Sequence, residues 1–121
     1  MTAGDLLARV DALRPNRFTP AEKLGWLRRI DGQILRELYD SHPDLDAPAL
    51  PELYNAATEL LAPFPYGEEL YLGYLLCQID LHNGEISKYN QSLRLLSGAW
   101  RQLADWVNRE NRPRQLGDWK L

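Results

Sequence analysis

The chain has 121 residues and a net charge of −3, and its apolar and charged shares, 45% and 26%, are those of one ordinary globular domain. A single cysteine, Cys77, excludes an internal disulfide and a multi-cysteine zinc site, and the slight negative charge argues against a general nucleic-acid binder. Residues 1–11 lack the uninterrupted apolar core of a signal peptide, and the densest apolar run, residues 70–81, is too short to cross a bilayer.

Four helices are predicted. The first covers residues 3–13, with Thr2 as N-cap and Asp5 near the positive end of the dipole. Ala3, Leu6, Leu7, Val10 and Leu13 share one face at helical spacing, and Pro15 ends the helix by holding Arg14 out of the helical region. The second begins at the capping box Thr19-Pro20-Ala21-Glu22 and should run to about Ser41, where His42-Pro43 stops it. Phe18 is expected to staple onto Lys23 or Leu24, the apolar Leu24 being the better partner. The core face is Leu24, Leu27, Ile30, Ile34 and Leu38, while Trp26 and Tyr39 lie off that line and are expected to face a partner.

Residues 43–66 hold five of the eight prolines, a spacing that forbids a long helix. Only residues 53–61 could form a strand, a hairpin or a short helical turn there. A connection of this length predicts an arm with few contacts to its own domain. The third helix starts near Tyr66 and ends at Asn83-Gly84. It is apolar on nearly every face, which marks it as the central helix.

The fourth helix covers about residues 85–111. Ile86, Tyr89, Leu93, Leu96, Trp100, Leu103 and Val107 alternate at steps of three and four, the pattern of an antiparallel partner in a bundle. Trp100 in that core stripe predicts a loss of about 3–5 kcal/mol on Trp100→Ala. The fold expected is therefore all-α: a four-helix, bundle-like domain over residues 1–113, with the proline-rich insert at 43–66 and an extended tail at 114–121.

Charge is uneven along the chain. Residues 43–83 carry seven Asp or Glu and no Lys or Arg, whereas residues 84–121 carry seven Lys or Arg against four acids. An acidic middle and a basic end can steer one subunit onto another.

Catalytic equipment is not visible. His42 and His82 stand alone, without a partner at metal-ligand spacing, and read as helix-terminal residues favoured by the dipole. Cys77 reads as a buried structural thiol. Glu68 and Glu69 diverge on a helix and read as first-turn acids. Asp31-Gly32 within a helix costs helix stability, so Asp31 is expected to have a polar partner or to sit in close packing. Phosphate- and nucleotide-binding motifs are missing. Arg101, Arg109, Arg112, Arg114 and Lys120 read as a solvated or partner-facing surface, and no metal or cofactor is expected. Of the four tryptophans, Trp106 lies one position off the stripe and Trp119 beyond the last helix, where aromatics beside arginines mark interfaces.

The run Val10-Asp11-Ala12-Leu13-Arg14-Pro15-Asn16, followed by Lys23-Leu24-Gly25-Trp26-Leu27 and Ile30-Asp31-Gly32-Gln33-Ile34, resembles the opening of the small head–tail connector (adaptor) proteins of tailed bacteriophages and prophages of Gram-positive hosts. The resemblance continues through Leu60-Leu61-Ala62-Pro63-Phe64-Pro65-Tyr66, Glu69-Leu70-Tyr71 and Gln78-Ile79-Asp80-Leu81-His82-Asn83-Gly84-Glu85. It closes with Lys88-Tyr89-Asn90 and Asp105-Trp106-Val107-Asn108-Arg109, and it spans roughly residues 6–110 in order. No one of these motifs is a reactive site, so order and spacing carry the likeness.

The resemblance implies a non-enzymatic α-helical subunit of the virion neck. Such subunits form a ring with neighbouring copies, usually twelve-fold, beneath the portal protein. The ring extends the DNA channel without binding DNA specifically and offers a platform to the next neck or tail-completion protein. No membrane partner is implied. The family's portal contacts fall in the C-terminal segment, here residues 109–121. Arg109, Arg112, Arg114, Leu116, Trp119 and Lys120 are therefore expected to bind a partner, together with Tyr54 and Glu59 on the arm. The alternative from another class is a small cytoplasmic helical regulatory protein that binds DNA or a protein partner; salt-dependent DNA binding would favour it.

Overall fold

A computed structural model describes residues 1–40, 42, 48–63 and 65–110. Four helices make up the fold: α1 (Ala3–Leu13), α2 (Pro20–Ile34), α3 (Tyr66–His82) and α4 (Ile86–Glu110). A π-helical turn, Leu35–Tyr39, continues α2.

The N-terminal caps form where the sequence places them. Thr2 accepts from the Asp5 N–H and Asp5 accepts from the Thr2 N–H, a reciprocal capping box. Thr19 accepts from the Glu22 N–H at 3.1 Å, with Pro20 in the first turn. Arg14 takes an extended conformation before Pro15, as the proline ring requires. The turn between α3 and α4 is a Schellman motif. Glu85 N–H donates to the Asp80 carbonyl at 3.0 Å and Gly84 N–H to the Leu81 carbonyl at 3.1 Å, with Gly84 at φ +70°, where glycine has no Cβ to clash.

α3 is the central helix. Leu70, Tyr71, Leu75 and Ile79 are fully enclosed, and α1, α2 and α4 all pack on it. Its main partner is α4. The two axes approach closely because Gly73 faces the backbone of Leu96; a Cβ there would sit 3.2 Å from the Leu96 Cα. Opposite, α4 turns Ser92, Ala99, Leu103 and Val107 inward.

This rotation corrects the expected stripe on α4. Leu103 and Val107 are in the core, but Ile86 is 62% exposed, Leu93 is 39% exposed, and Trp100 is only half-buried. The small residues Ser92 and Ala99 allow the near approach to α3, and the larger residues at 86, 93 and 100 turn outward. The expected cost of Trp100→Ala falls accordingly, to about 1–2 kcal/mol for a half-buried ring. Urea denaturation checks this; a loss above about 3 kcal/mol would restore Trp100 to the core.

α2 also differs from expectation. Its α-geometry ends at Ile34, and the π turn that follows is closed by Asp40 N–H on the Leu35 carbonyl at 3.0 Å. The wider turn shifts the helical phase, so the adjacent Leu38 and Tyr39 are both buried. Tyr39 and Trp26 therefore belong to the chain's own core and not to a partner surface. Phe18 packs on Trp26 (ring centroids 5.1 Å apart) and on His82 (5.7 Å). It thus closes the chain entry to α2 against aromatic rings, with Leu24 also partly buried against the same core. Ser41, the expected end of α2, lies outside the described residues.

The insert is not a loose arm over residues 48–63. Ala3 and Gly4 open α1, and their N–H groups have no partner within the helix. They donate to the carbonyls of Thr58 (2.8 Å) and Ala56 (2.9 Å). Gly4 must be small there, since a Cβ would meet the Ala56 carbonyl oxygen at 2.9 Å. Leu60 N–H donates to the Met1 carbonyl, and Thr2 forms a single antiparallel bridge with Glu59. No strand or hairpin develops among the described residues. Arg28 Nε reaches the Pro51 carbonyl at 2.7 Å. The prolines prevent helix here, yet the freed carbonyls serve as caps for α1. Residues 43–47 and 64 of the expected arm lie outside the described residues.

Candidate interaction surfaces

Two buried acids organise the polar interior. Asp31 on α2 is fully enclosed. It accepts hydrogen bonds from the Tyr54 hydroxyl (2.7 Å), the Tyr71 hydroxyl and the Leu61 N–H (3.3 Å). The Tyr71 oxygen in turn accepts from the Ala62 N–H at 2.7 Å. One carboxylate thus joins α2, the insert and α3, which is the polar partner that the mid-helix Asp31-Gly32 pair predicts. Burial raises the Asp31 pKa above its ordinary value, and the three donors oppose that rise. Burial next to Asp31 also pushes the hydroxyls of Tyr71 and Tyr54 upward, so both stay protonated as donors.

Asp80 on α3 is equally enclosed. It takes an ion pair from Arg14, just past α1, and a hydrogen bond from Ser92 on α4 at 2.8 Å. The Arg9–Glu68 and Lys23–Asp11 pairs add ties from α1 to α3 and α2. These groups hold the fold together; none is aimed into a cleft beside a second reactive group. Among the described residues no cluster of three His, Cys, Asp or Glu is placed to hold a metal, and no helix is long and apolar enough to cross a membrane.

Cys77 is buried, and burial beside Asp80 pushes its thiol up to about 11, so it is a protonated packing group. His82 ends α3 as expected, with Nδ1 at 2.7 Å from the Gln78 carbonyl. His42 departs from its expected helix-end role. It lies beyond the π turn, buried, with Nε2 facing the Asn108 Oδ1 at 3.1 Å.

The expected partner-binding residues divide into three groups. Arg109 is exposed in the last turn of α4 and reaches the Tyr66 hydroxyl at 3.5 Å. That ring stacks on Trp106 with centroids 5.4 Å apart. Glu59 has an exposed side chain and pairs with the Met1 amino group at 3.0 Å. Tyr54 is buried with its hydroxyl on Asp31, so the expected partner role is corrected to an internal one. Arg112, Arg114, Leu116, Trp119 and Lys120 lie outside the described residues.

The outer surface of α4 carries exposed apolar residues among its polar ones. Ile86, Leu93 and Trp100 are seven apart on one line of α4, with Ile86 and Leu93 exposed and Trp100 half-buried. Spacing alone could not reveal this, because the same residues also satisfy a core stripe. The chain matches no known protein-family model, no curated protein and no solved structure.

Proposed function

We propose that this chain is a structural subunit of a phage or prophage head–tail connector. It assembles with neighbouring copies into a ring beneath the portal protein, in the neck of the virion. The observation that carries this reading is the outward apolar line of α4, Ile86–Leu93–Trp100, on a helix about 37 Å long. Exposed apolar residues aligned along one helix mark an assembly surface. The ordered likeness to connector proteins over residues 6–110 supports the same reading.

A ring of identical subunits needs two different complementary surfaces, one meeting the next copy's other. The α4 line is one. The acidic middle of the chain supplies a counterpart for the basic C-terminal third. The net charge of −3 suits a channel through which DNA slides, since tight phosphate contacts would hold it. The next neck or tail-completion protein would dock on the ring's far face.

Co-purification with the cognate portal tests the reading against its rival. The connector reading expects the protein to bind portal and not duplex DNA at low salt. Failure to bind portal, with DNA binding that weakens as salt rises, would establish the small regulatory protein instead.

A further inference from the structure

α2 carries two different features on opposite sides. Arg28 holds the insert through the Pro51 carbonyl, whereas Ile30 and Gln33 line a groove that opens between α2 and α4. At about 100° per residue, positions 30 and 33 lie about 150° around the helix from position 28. The groove has a volume of about 510 Å³. Buried Tyr74 and half-buried Leu96, Trp100 and Ala104 line it further, with Arg101 exposed on the α4 rim and Glu37 on the α2 rim.

On the insert, Leu53 is 85% exposed, more than any other large apolar side chain among the described residues. It is held in place from both sides. The Pro51 carbonyl accepts from Arg28 Nε at 2.7 Å, and the Tyr54 hydroxyl donates to Asp31 at 2.7 Å. A leucine fixed outward between two anchors loses little freedom when it is covered. Its neighbour Glu52 and the groove's Arg101 are both exposed, and neither has an ion pair among the described residues. Residues 48–63 bear Glu52 and Glu59 and no Lys or Arg, while α4 bears Lys88, Arg94, Arg101 and Arg109 against Asp105 and Glu110.

We propose that Leu53 of one copy seats in the α2–α4 groove of the next, with Glu52 against Arg101. The occupant is a second copy, because a knob and a groove on opposite sides of one chain cannot meet within it but repeat head to tail between copies. Charge orients the contact: Glu52 turns to the α4 rim with Arg101, away from Glu37 on the α2 rim. Trp100 ends the outward line of α4, so the groove extends the same contact with the next copy. The proposal rests on the connector reading, and it names the second of the two complementary surfaces that a ring needs.

Native mass spectrometry and crosslinking of the full chain, alone and with portal, test it. Leu53→Asp is expected to raise the concentration for half-assembly by about thirtyfold, through the loss of one buried leucine per contact. Glu52→Arg and Arg101→Glu are each expected to raise it about fivefold, and the two together in one chain to restore it. Leu53→Cys with Ser97→Cys in one chain, treated with a short bismaleimide, is expected to give a ladder of covalent multimers. Cys77 is buried with a protonated thiol and does not compete. Each chain with only one of the two new cysteines is expected to give no product. Rings that assemble unchanged in Leu53→Asp, rings that yield no ladder, or a double charge reversal no better than the single ones overturn this contact and leave the connector reading in place. Dimers from Leu53→Cys alone identify a two-fold contact and overturn it too. A chain that stays single both alone and with portal overturns both.

Discussion

Asp31→Ala is expected to cost about 3–5 kcal/mol, the largest loss from any single polar substitution in this chain. The alanine removes the acceptor shared by the Tyr54 hydroxyl, the Tyr71 hydroxyl and the Leu61 N–H. Hydrogen bonds to a carboxylate contribute more than neutral ones, and the two buried tyrosine hydroxyls lose their acceptor. The damage should spread in a definite order. Residues 54–62 are tied to the bundle through Asp31 and Tyr71, and the same stretch caps α1 through the carbonyls of Ala56 and Thr58. Amide exchange should therefore rise first at Leu61 and Ala62, then at Ala3 and Gly4, before α3 and α4 open. A loss below about 1 kcal/mol would show that the insert is held by its apolar contacts alone.

The same carboxyl sets a pH dependence. Burial raises its folded pKa above the ordinary value of 3.8, so the folded state holds the proton more tightly than the unfolded chain does. Asp31's contribution is then greatest below that ordinary value and falls as pH rises through the folded value. Asp31→Asn cannot ionise and should flatten this part of the profile. Urea midpoints from about pH 4 upward check the sign; a wild-type profile no steeper than that of Asp31→Asn would contradict it.

The second large effect is on assembly. On the connector reading, Ile86→Asp combined with Leu93→Glu should cost the fold no more than about 1 kcal/mol and abolish ring formation. Ile86 is 62% exposed and Leu93 39%, and neither is in the core, so the packing lost is limited. Residue 86 opens α4, where an acid is favoured by the helix dipole, and glutamate forms helix as readily as leucine. Two charges placed in an apolar contact, however, would be buried without partners in the assembled ring. Native mass spectrometry alone and with portal reads the outcome, with thermal unfolding as the control. Rings that still form would move the contact off this face of α4.

Much of this fold was legible before any coordinates. The helix starts at Thr2 and Thr19, the stop at Pro15, the Asn83-Gly84 turn and the centrality of α3 all follow from local chemistry that acts within a few residues. The misreadings share a different cause. The line 86–93–100 fits a core stripe by spacing, and only the small Ser92 and Ala99 on the inner side of α4, with Gly73 close against Leu96, decide that α4 rotates away from it. Trp26 and Tyr39 fall off the periodic line, but a π turn and the Phe18–His82 packing bring them inside. The proline-rich stretch lacks helix, and what it does instead depends on acceptors and donors far away in sequence. Asp31-Gly32 was the one visible hint that a buried acid needed partners, yet nothing in the sequence named Tyr54 and Tyr71. Asp80 with Arg14 and Ser92 had no such hint.

The most direct test is an image of the protein bound to its portal by electron cryomicroscopy. The connector reading predicts a closed ring at the foot of the portal, in which the Ile86–Leu93–Trp100 line of each α4 lies against the next copy. It also predicts that residues 48–63 remain packed on Asp31 in every subunit. Failure of the protein to join the portal, or a ring in which this line of α4 faces water all the way round, would contradict it.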